Sequence, residues 1–145
     1  MTKDQPQRTD YRYFEPVDTR WGDNDIYGHV NNVVYYAYFD TVVNRLLLNN
    51  GWLDLQGKGA IGLVVETSCQ YFSSVAFPER LVVGLCVERL GNTSVVYDLA
   101  IFSEHSEVAS AKGRFVHVYV DRASREPTPL PKALRLGLTP FLRIC

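Results

Sequence analysis

Cysteine is scarce in this chain of 145 residues, and neither sign of charge is in clear excess. The three cysteines, Cys69, Cys86 and Cys145, are an odd number without C-x-x-C spacing, so the sequence favours neither a disulfide framework nor a zinc site. The formal net charge is −1 and the basic residues are scattered, which argues against binding to nucleic acid or to an anionic lipid surface. Reduced thiols fit a cytoplasmic protein best.

Long apolar runs and the common catalytic motifs are also missing. No stretch of about 18 apolar residues is present, and residues 1–10 are polar, so we expect neither a membrane span nor secretion. The G-x-S-x-G elbow, a phosphate-binding glycine loop and the H-E-x-x-H pattern do not occur. His105 in a polar turn and His117 on a strand are typical of solvated, packed or surface residues rather than of ligands. We therefore expect no cofactor and no metal.

The composition, with 46% hydrophobic and 21% charged residues, is typical of one globular domain. We expect that single domain to span residues 1–145, with residues 1–10 as a flexible leader. The regular structure should end at three prolines, Pro127, Pro129 and Pro131. Residues 132–145 would then form a loosely packed tail.

A polar loop leads into an apolar helix in the first third of the chain. Residues 20–32 read Arg-Trp-Gly-Asp-Asn-Asp-Ile-Tyr-Gly-His-Val-Asn-Asn, and residues 33–48 are nearly all apolar. The helix should begin near residues 31–32, since asparagine is a good N-cap, and end near residues 49–50, before Gly51. The polar side chains of the loop exceed what the roughly four unpaired N–H groups of a helix start require. This surplus indicates a functional site.

Beyond the helix, the sequence changes to the two-residue alternation of β-strands. Four strands rich in Val, Tyr and Phe are predicted, at residues 61–71, 81–90, 94–102 and 108–120. Their connections are short, so we expect them to form an antiparallel meander. A first strand at residues 11–21 contains Pro16, which suits a sheet edge or a bulge.

This order of elements predicts an α+β fold in which one long central helix is wrapped by a five-stranded antiparallel sheet. A single helix cannot cover the whole sheet, so one edge and part of one face would stay apolar and uncovered. We therefore expect a symmetric homodimer, with edge strands paired into a continuous sheet.

Several motifs carry a family resemblance. The strongest is the run at residues 20–32, with Tyr35, Tyr38 and Arg45 behind it. Weaker matches are Val-Glu at 65–66 leading to Tyr71, the turn at 90–94, Ala-Lys-Gly at 111–113 and Pro-Leu-Pro at 129–131. Together they cover most of residues 12–131, and they resemble the hotdog-fold acyl-CoA thioesterases of the 4-hydroxybenzoyl-CoA thioesterase type.

The resemblance implies a cofactor-free enzyme that hydrolyses acyl-CoA to free acid and CoA as a homodimer or a dimer of dimers. The catalytic carboxylate of the family, the second Asp of an Asp-x-Asp pair, falls on Asp25. The backbone N–H that receives the thioester carbonyl falls on Asn32, while His29 and Asn31 would orient the water or the carboxylate. The His-Val-Asn-Asn variant is shared with long-chain acyl-CoA thioesterases and plant acyl-carrier-protein thioesterases.

The residue types suit the same chemistry. A thioester carbonyl needs an attacking group on one side and hydrogen-bond donors facing the developing oxyanion on the other. A helix N-terminus supplies such donors together with a favourable dipole. Asp25 could attack the carbonyl directly or deprotonate a water, and the sequence leaves both routes open.

Substrate contacts follow from the resemblance as well. The acyl chain would pass between the helix start of one subunit and the strands of the other, against Trp21, Tyr35, Tyr71 and Phe72. The phosphates of CoA would lie near the protein surface, where the candidate residues are Arg89, Lys112 and Arg114.

Other interpretations compete with these assignments. Asp25 also suits an Asx-turn, and Asp23 suits a structural role in bonding loop amides or Arg20. Another hotdog branch uses a carboxylate on the helix as its catalytic group, but Asp40 could simply bond Asn44 or Tyr36. The functional alternatives are an acyl-carrier-protein thioesterase and a non-catalytic acyl-thioester or fatty-acid binding protein.

Overall fold

Along the chain, one strand is followed by one long helix, then by four strands and a short helix. The computed structural model describes residues 5–53, 57 and 59–143. The elements are β1 (Tyr13–Asp18), α1 (Asn32–Asn49), β2 (Ile61–Tyr71), β3 (Arg80–Leu90), β4 (Ser94–Ser103), β5 (Ala111–Val120) and α2 (Lys132–Leu138). The predicted order of strand, helix and four strands is confirmed, and so is the α+β hotdog fold class. The first strand is shorter than predicted, since Trp21 lies in a 3-10 turn, Trp21–Asp23.

The five strands form one antiparallel sheet in the order β1-β3-β4-β5-β2. The predicted meander is therefore correct for β3, β4 and β5 but wrong for β2, which pairs with β5 instead of β3. Residues 72–79 carry the chain from β2 across to β3, and this connection is longer than a tight hairpin turn. The sheet ends in β1 on one side and β2 on the other, and Pro16 lies on the β1 edge as expected.

Helix α1 has the predicted signals at both ends. The Asn31 side chain caps it by accepting a hydrogen bond of 3.1 Å from the Val33 N–H, and Gly51 follows the helix with a φ of 72°. Seven apolar side chains of the helix are buried, namely Tyr35, Tyr38, Phe39, Val42, Val43, Leu46 and Leu47. Close approach to the sheet depends on Gly113 in β5, because a Cβ at that position would overlap the Phe39 ring. The core therefore fixes where the N-terminus of α1 lies.

Both ends of the described chain pack against the sheet, which corrects two expectations. The leader is not loose from residue 5 onward, because the Arg8 side chain donates to the carbonyls of Glu104 and Ser106 at 2.7 Å each. Residues 132–143 are not loosely packed either. Leu134 and Leu138 of α2 are buried in the main core, where apolar burial outweighs the proline-rich entry.

The β2 edge leaves apolar side chains in contact with solvent. Leu63, Val64 and Val65 are 36%, 48% and 59% exposed, whereas most side chains of β3, β4 and β5 are buried.

None of the described helices is long and apolar enough to span a membrane.

Candidate active site

The loop before α1 is anchored by a buried carboxylate. Asp23 is 1% exposed, and one of its oxygens accepts hydrogen bonds from the Tyr38 hydroxyl at 2.7 Å and the Arg20 backbone N–H at 2.9 Å. The other oxygen lies 3.2 Å from the Arg20 guanidinium. Burial by itself would raise the pKa of Asp23, but these donors outweigh it and hold the pKa below its usual value. Asp23 thus has the structural role expected for it, and its carbonyl also accepts from the Asn31 N–H at 2.8 Å.

Asp25 lies at the start of a tight turn two residues further on. One carboxylate oxygen accepts from the Tyr27 N–H at 2.8 Å, which makes an Asx-turn. The backbone closes the turn with a 2.8 Å bond from the Asp25 N–H to the His29 carbonyl, and Gly28 has the positive φ of 81° that the turn requires. The second carboxylate oxygen of Asp25 has no hydrogen-bond partner within the described part of the chain. The Asx-turn therefore fixes the side chain and still leaves one oxygen available.

The first turn of α1 has one uncommitted backbone donor. The N–H of Val33 bonds the Asn31 side chain, and the N–H of Val34 bonds the Asn31 carbonyl at 2.9 Å. The N–H of Asn32 has no acceptor among residues 5–53, 57 and 59–143. It lies at the positive end of a helix of 18 residues, where the dipole favours a negative ligand.

Asp25 and Asn32 line one open pocket of about 360 Å³. Its other lining residues are Val30, Tyr35, Tyr71, Phe72, Ser73 and Ser74. Five of the predicted site residues are thus brought together from three segments of the chain, because the loop after β2 folds back over the start of α1. The sequence interpretation missed Val30, Ser73 and Ser74. The position of Ser73 and Ser74 directly after a predicted strand was the available signal.

Three other predicted residues do not line this pocket. The Asn31 side chain is engaged as the helix cap, and His29 is exposed. Trp21 is 78% exposed and packs edge-on against Phe77, with ring centroids 5.9 Å apart. The structure therefore brings Asp25, the start of α1 and the aromatic residues together in one pocket. The His29 and Trp21 side chains do not line this pocket.

The basic residues proposed for CoA lie on the sheet face opposite α1. Arg114 pairs with Glu66 and lies 3.6 Å from Glu88, and the Lys112 ammonium is 3.9 Å from the Asp98 carboxylate. Arg89 lines a separate depression together with Arg114. Their contact with CoA stays a prediction, and carboxylates already compensate much of the charge of Lys112 and Arg114.

The remaining candidates are placed away from the pocket. Asp40 is exposed and accepts a 3.1 Å hydrogen bond from Asn44, as the structural interpretation expected. His117 is packed in the core, while His105 is 92% exposed. The described residues contain no group of three or more His, Cys, Asp or Glu side chains that could hold a metal ion.

The fold and the pocket define a protein of the hotdog thioesterase class. The chain belongs to the Thioesterase-like superfamily, whose profile matches residues 19–138. This membership confirms the resemblance drawn from the motifs, and it places the chain among the thioester hydrolases.

Individual relatives agree with the family. The crystal structure of the PA5185 protein of Pseudomonas aeruginosa is 55% identical, superposes with a TM-score of 0.92, and the match covers 96% of this chain and 97% of that one. YneP of Bacillus subtilis, a predicted acyl-CoA thioesterase, is 26% identical over 119 residues, which is 81% of this chain and 86% of YneP. The 1,4-dihydroxy-2-naphthoyl-CoA thioesterase Slr0204 of Synechocystis shares the fold at 19% identity, with a TM-score of 0.79 over 87% of this chain and 94% of that one.

Proposed function

We propose that this protein hydrolyses acyl-CoA thioesters to free acid and CoA, with Asp25 as the catalytic carboxylate and the Asn32 N–H as the oxyanion donor. The observation that carries the proposal is the pocket that Asp25 and Asn32 share. Within the described part of the chain, one Asp25 oxygen and the Asn32 N–H have no hydrogen-bond partner. The relation to a predicted acyl-CoA thioesterase supports CoA as the carrier of the acyl group.

The geometry suits a reaction at a carbonyl carbon. When the thioester oxygen lies against the N-terminus of α1, the developing negative charge meets the Asn32 N–H and the positive end of the helix dipole. Asp25 lines the same pocket, so its carboxylate is placed to approach the carbonyl carbon.

Two routes are available from this arrangement. In the first, the Asp25 carboxylate adds to the carbonyl carbon, the C–S bond breaks, CoA leaves as its thiolate, and water hydrolyses the resulting mixed anhydride. In the second, Asp25 takes a proton from a water, the hydroxide adds to the carbonyl carbon, and the C–S bond breaks with transfer of a proton to the leaving sulfur. Label in the Asp25 peptide after a single turnover in ¹⁸O-labelled water would establish the first route, because only an anhydride that water opens at the Asp25 carbonyl carbon carries label into the side chain.

The experiment that tests the function is CoA release from a panel of short, long and aromatic acyl-CoAs, followed by chromatography. The Asp25→Asn variant should lose about 10²-fold or more in turnover while it still binds substrate, since removal of an acid/base group typically costs 10²–10⁴-fold. The matched control is Asp18→Asn, which removes an exposed carboxylate outside the pocket and should keep normal turnover. Binding without CoA release in the wild type would instead favour a non-catalytic acyl-thioester binding protein. Faster release from acyl carrier protein than from CoA would favour the carrier-protein thioesterase.

We also propose a homodimer in which the β2 edges of two copies pair. This dimer would exist either by itself or as one half of a dimer of dimers. Support comes from the 11 residues of β2, which have a strand neighbour on one side only, and from the exposed apolar triplet of Leu63, Val64 and Val65. Light scattering at several protein concentrations tests this directly, and a constant mass of one chain would contradict it. The cytoplasmic location expected from the cysteines stays a prediction.

A further inference from the structure

We infer that the ring of Tyr71 ends the acyl pocket, so that the wild-type enzyme takes short or compact acyl groups and excludes long chains. This inference rests on the proposed function, because it assigns a substrate class to the same pocket.

Tyr71 bridges the edge strand and the start of the helix, with its side chain 43% exposed. It is the last residue of β2, and its hydroxyl donates to the Asn32 carbonyl at 3.0 Å. Its ring stands edge-on against the Tyr35 ring, with centroids 4.9 Å apart and an interplanar angle of 85°. Since Tyr35 is 3% exposed and fixed in the core, the Tyr71 ring is held at its base by the strand, along one edge by Tyr35 and at its tip by the helix.

Other residues of β2 and α1 lie behind this ring. Alternation along the strand puts Cys69 and Thr67 on the same face as Tyr71, and Asp40 follows Tyr36 by one helical turn on the other side. We call this set, Thr67, Cys69, Tyr36 and Asp40, the rear residues. None of its members lines the Asp25 pocket.

The ring has different neighbours on its two sides. On the pocket side, the buried apolar residues Val30 and Tyr35 lie beside the polar residues Asn32, Ser73 and Ser74. Immediately behind the ring, Cys69 is half-buried, and burial raises the pKa of its thiol to about 11. Thr67 and Asp40 lie further along and are exposed and polar. A long acyl chain would therefore have to displace the ring, whereas a short or compact acyl group fits in the pocket with the ring in place.

The test is the chain-length profile of kcat/KM, measured from acetyl-CoA to palmitoyl-CoA with one aromatic acyl-CoA added. The wild type should prefer the short or aromatic substrates. Tyr71→Ala should raise the ratio of long-chain to short-chain kcat/KM by about tenfold or more, because each methylene accommodated in an apolar site is worth about 10-fold or more in discrimination. Tyr71→Leu should shift the profile in the same direction but by a smaller factor. This variant keeps an apolar side chain on the edge strand, so it still tests the inference if Tyr71→Ala disturbs the folding of that strand. Tyr71→Phe keeps the ring but loses the bond to the Asn32 carbonyl, so it should shift the profile less than Tyr71→Leu does.

A second substitution tests whether the space opened by Tyr71→Ala lies on the side of the rear residues. Cys69→Phe, added to Tyr71→Ala, should refill the space and return the profile to short substrates. Cys69→Phe alone should leave the wild-type profile unchanged, because the Tyr71 ring already excludes the chain from that space. A long-chain preference in the wild type, or an unchanged profile in both Tyr71→Ala and Tyr71→Leu, overturns the inference and leaves the proposed function intact. A wild type without any acyl-CoA hydrolysis overturns both.

Discussion

The buried imidazole of His117 should make the fold sensitive to mild acid. His117 is 3% exposed and surrounded by the rings of Phe115, Tyr97 and Tyr119, with centroids at 5.0, 5.9 and 6.2 Å. Its Nδ1 has no hydrogen-bond partner in the described part of the chain. Burial disfavours the charged form, which lowers the pKa of His117 from 6.5 to about 4.

The sign and size of the effect follow from this lowered pKa. Between pH 6.5 and 4 the unfolded chain binds a proton at His117 that the folded chain does not bind, so the free energy of unfolding falls as the pH falls through this range. At about 1.4 kcal/mol per pKa unit, the loss relative to pH 8 is about 2 kcal/mol at pH 5 and about 3 kcal/mol at pH 4. Above pH 7 this contribution is fully present.

Urea unfolding at pH 8 and pH 5, at one fixed protein concentration, measures the effect. His117→Phe keeps a ring of similar size and cannot titrate, so its stability loss between the two pH values should be smaller than that of the wild type by about 2 kcal/mol. His105→Gln removes a histidine that is 92% exposed and should behave like the wild type. Equal losses in the wild type and His117→Phe would refute the reasoning. An NMR titration of the wild-type His117 ring gives a second check, and a pKa near 6.5 would refute it too.

Two further predictions concern the anchor of the loop and the packing of α1. Tyr38→Phe should lower the free energy of unfolding by about 1–3 kcal/mol, because it leaves the buried Asp23 carboxylate without one of its donors. Urea unfolding measures this loss. A change below about 0.5 kcal/mol would show that the bond is dispensable. Gly113→Ala should cost about 1–3 kcal/mol by forcing Phe39 from its place. Gly22→Ala is its control, since a Cβ there meets no atom within 4 Å, and an equal effect at both sites would contradict the packing argument.

Local signals in the sequence were sufficient for the helix and its ends. The Asn31 cap and Gly51 act within a few residues of the chain, so their chemistry could be predicted without the rest of the fold. The role of Asp23 could be anticipated for the same reason, since Arg20 is only three residues away. Its bond to Tyr38 spans 15 residues and needed the structure.

Features that depend on distant parts of the chain could not be predicted. The partner of β2 is decided by how residues 72–79 cross the molecule, and alternation alone does not specify which strands are neighbours. The same crossing brings Ser73 and Ser74 to the pocket. The tail was misjudged because proline signals the end of a segment, while the burial of the helix that follows is a tertiary property.

The separation of Asp23 from Asp25 has a practical consequence for obtaining a complex. The Asp23 carboxylate fastens the loop to the helix, while Asp25 lines the pocket and has one oxygen without a hydrogen-bond partner among the described residues. A chain that lacks only the Asp25 charge should therefore remain a well-formed receptor for an intact thioester. Co-crystals of Asp25→Asn with uncleaved acyl-CoA could then reveal the whole ligand, from nucleotide to acyl terminus.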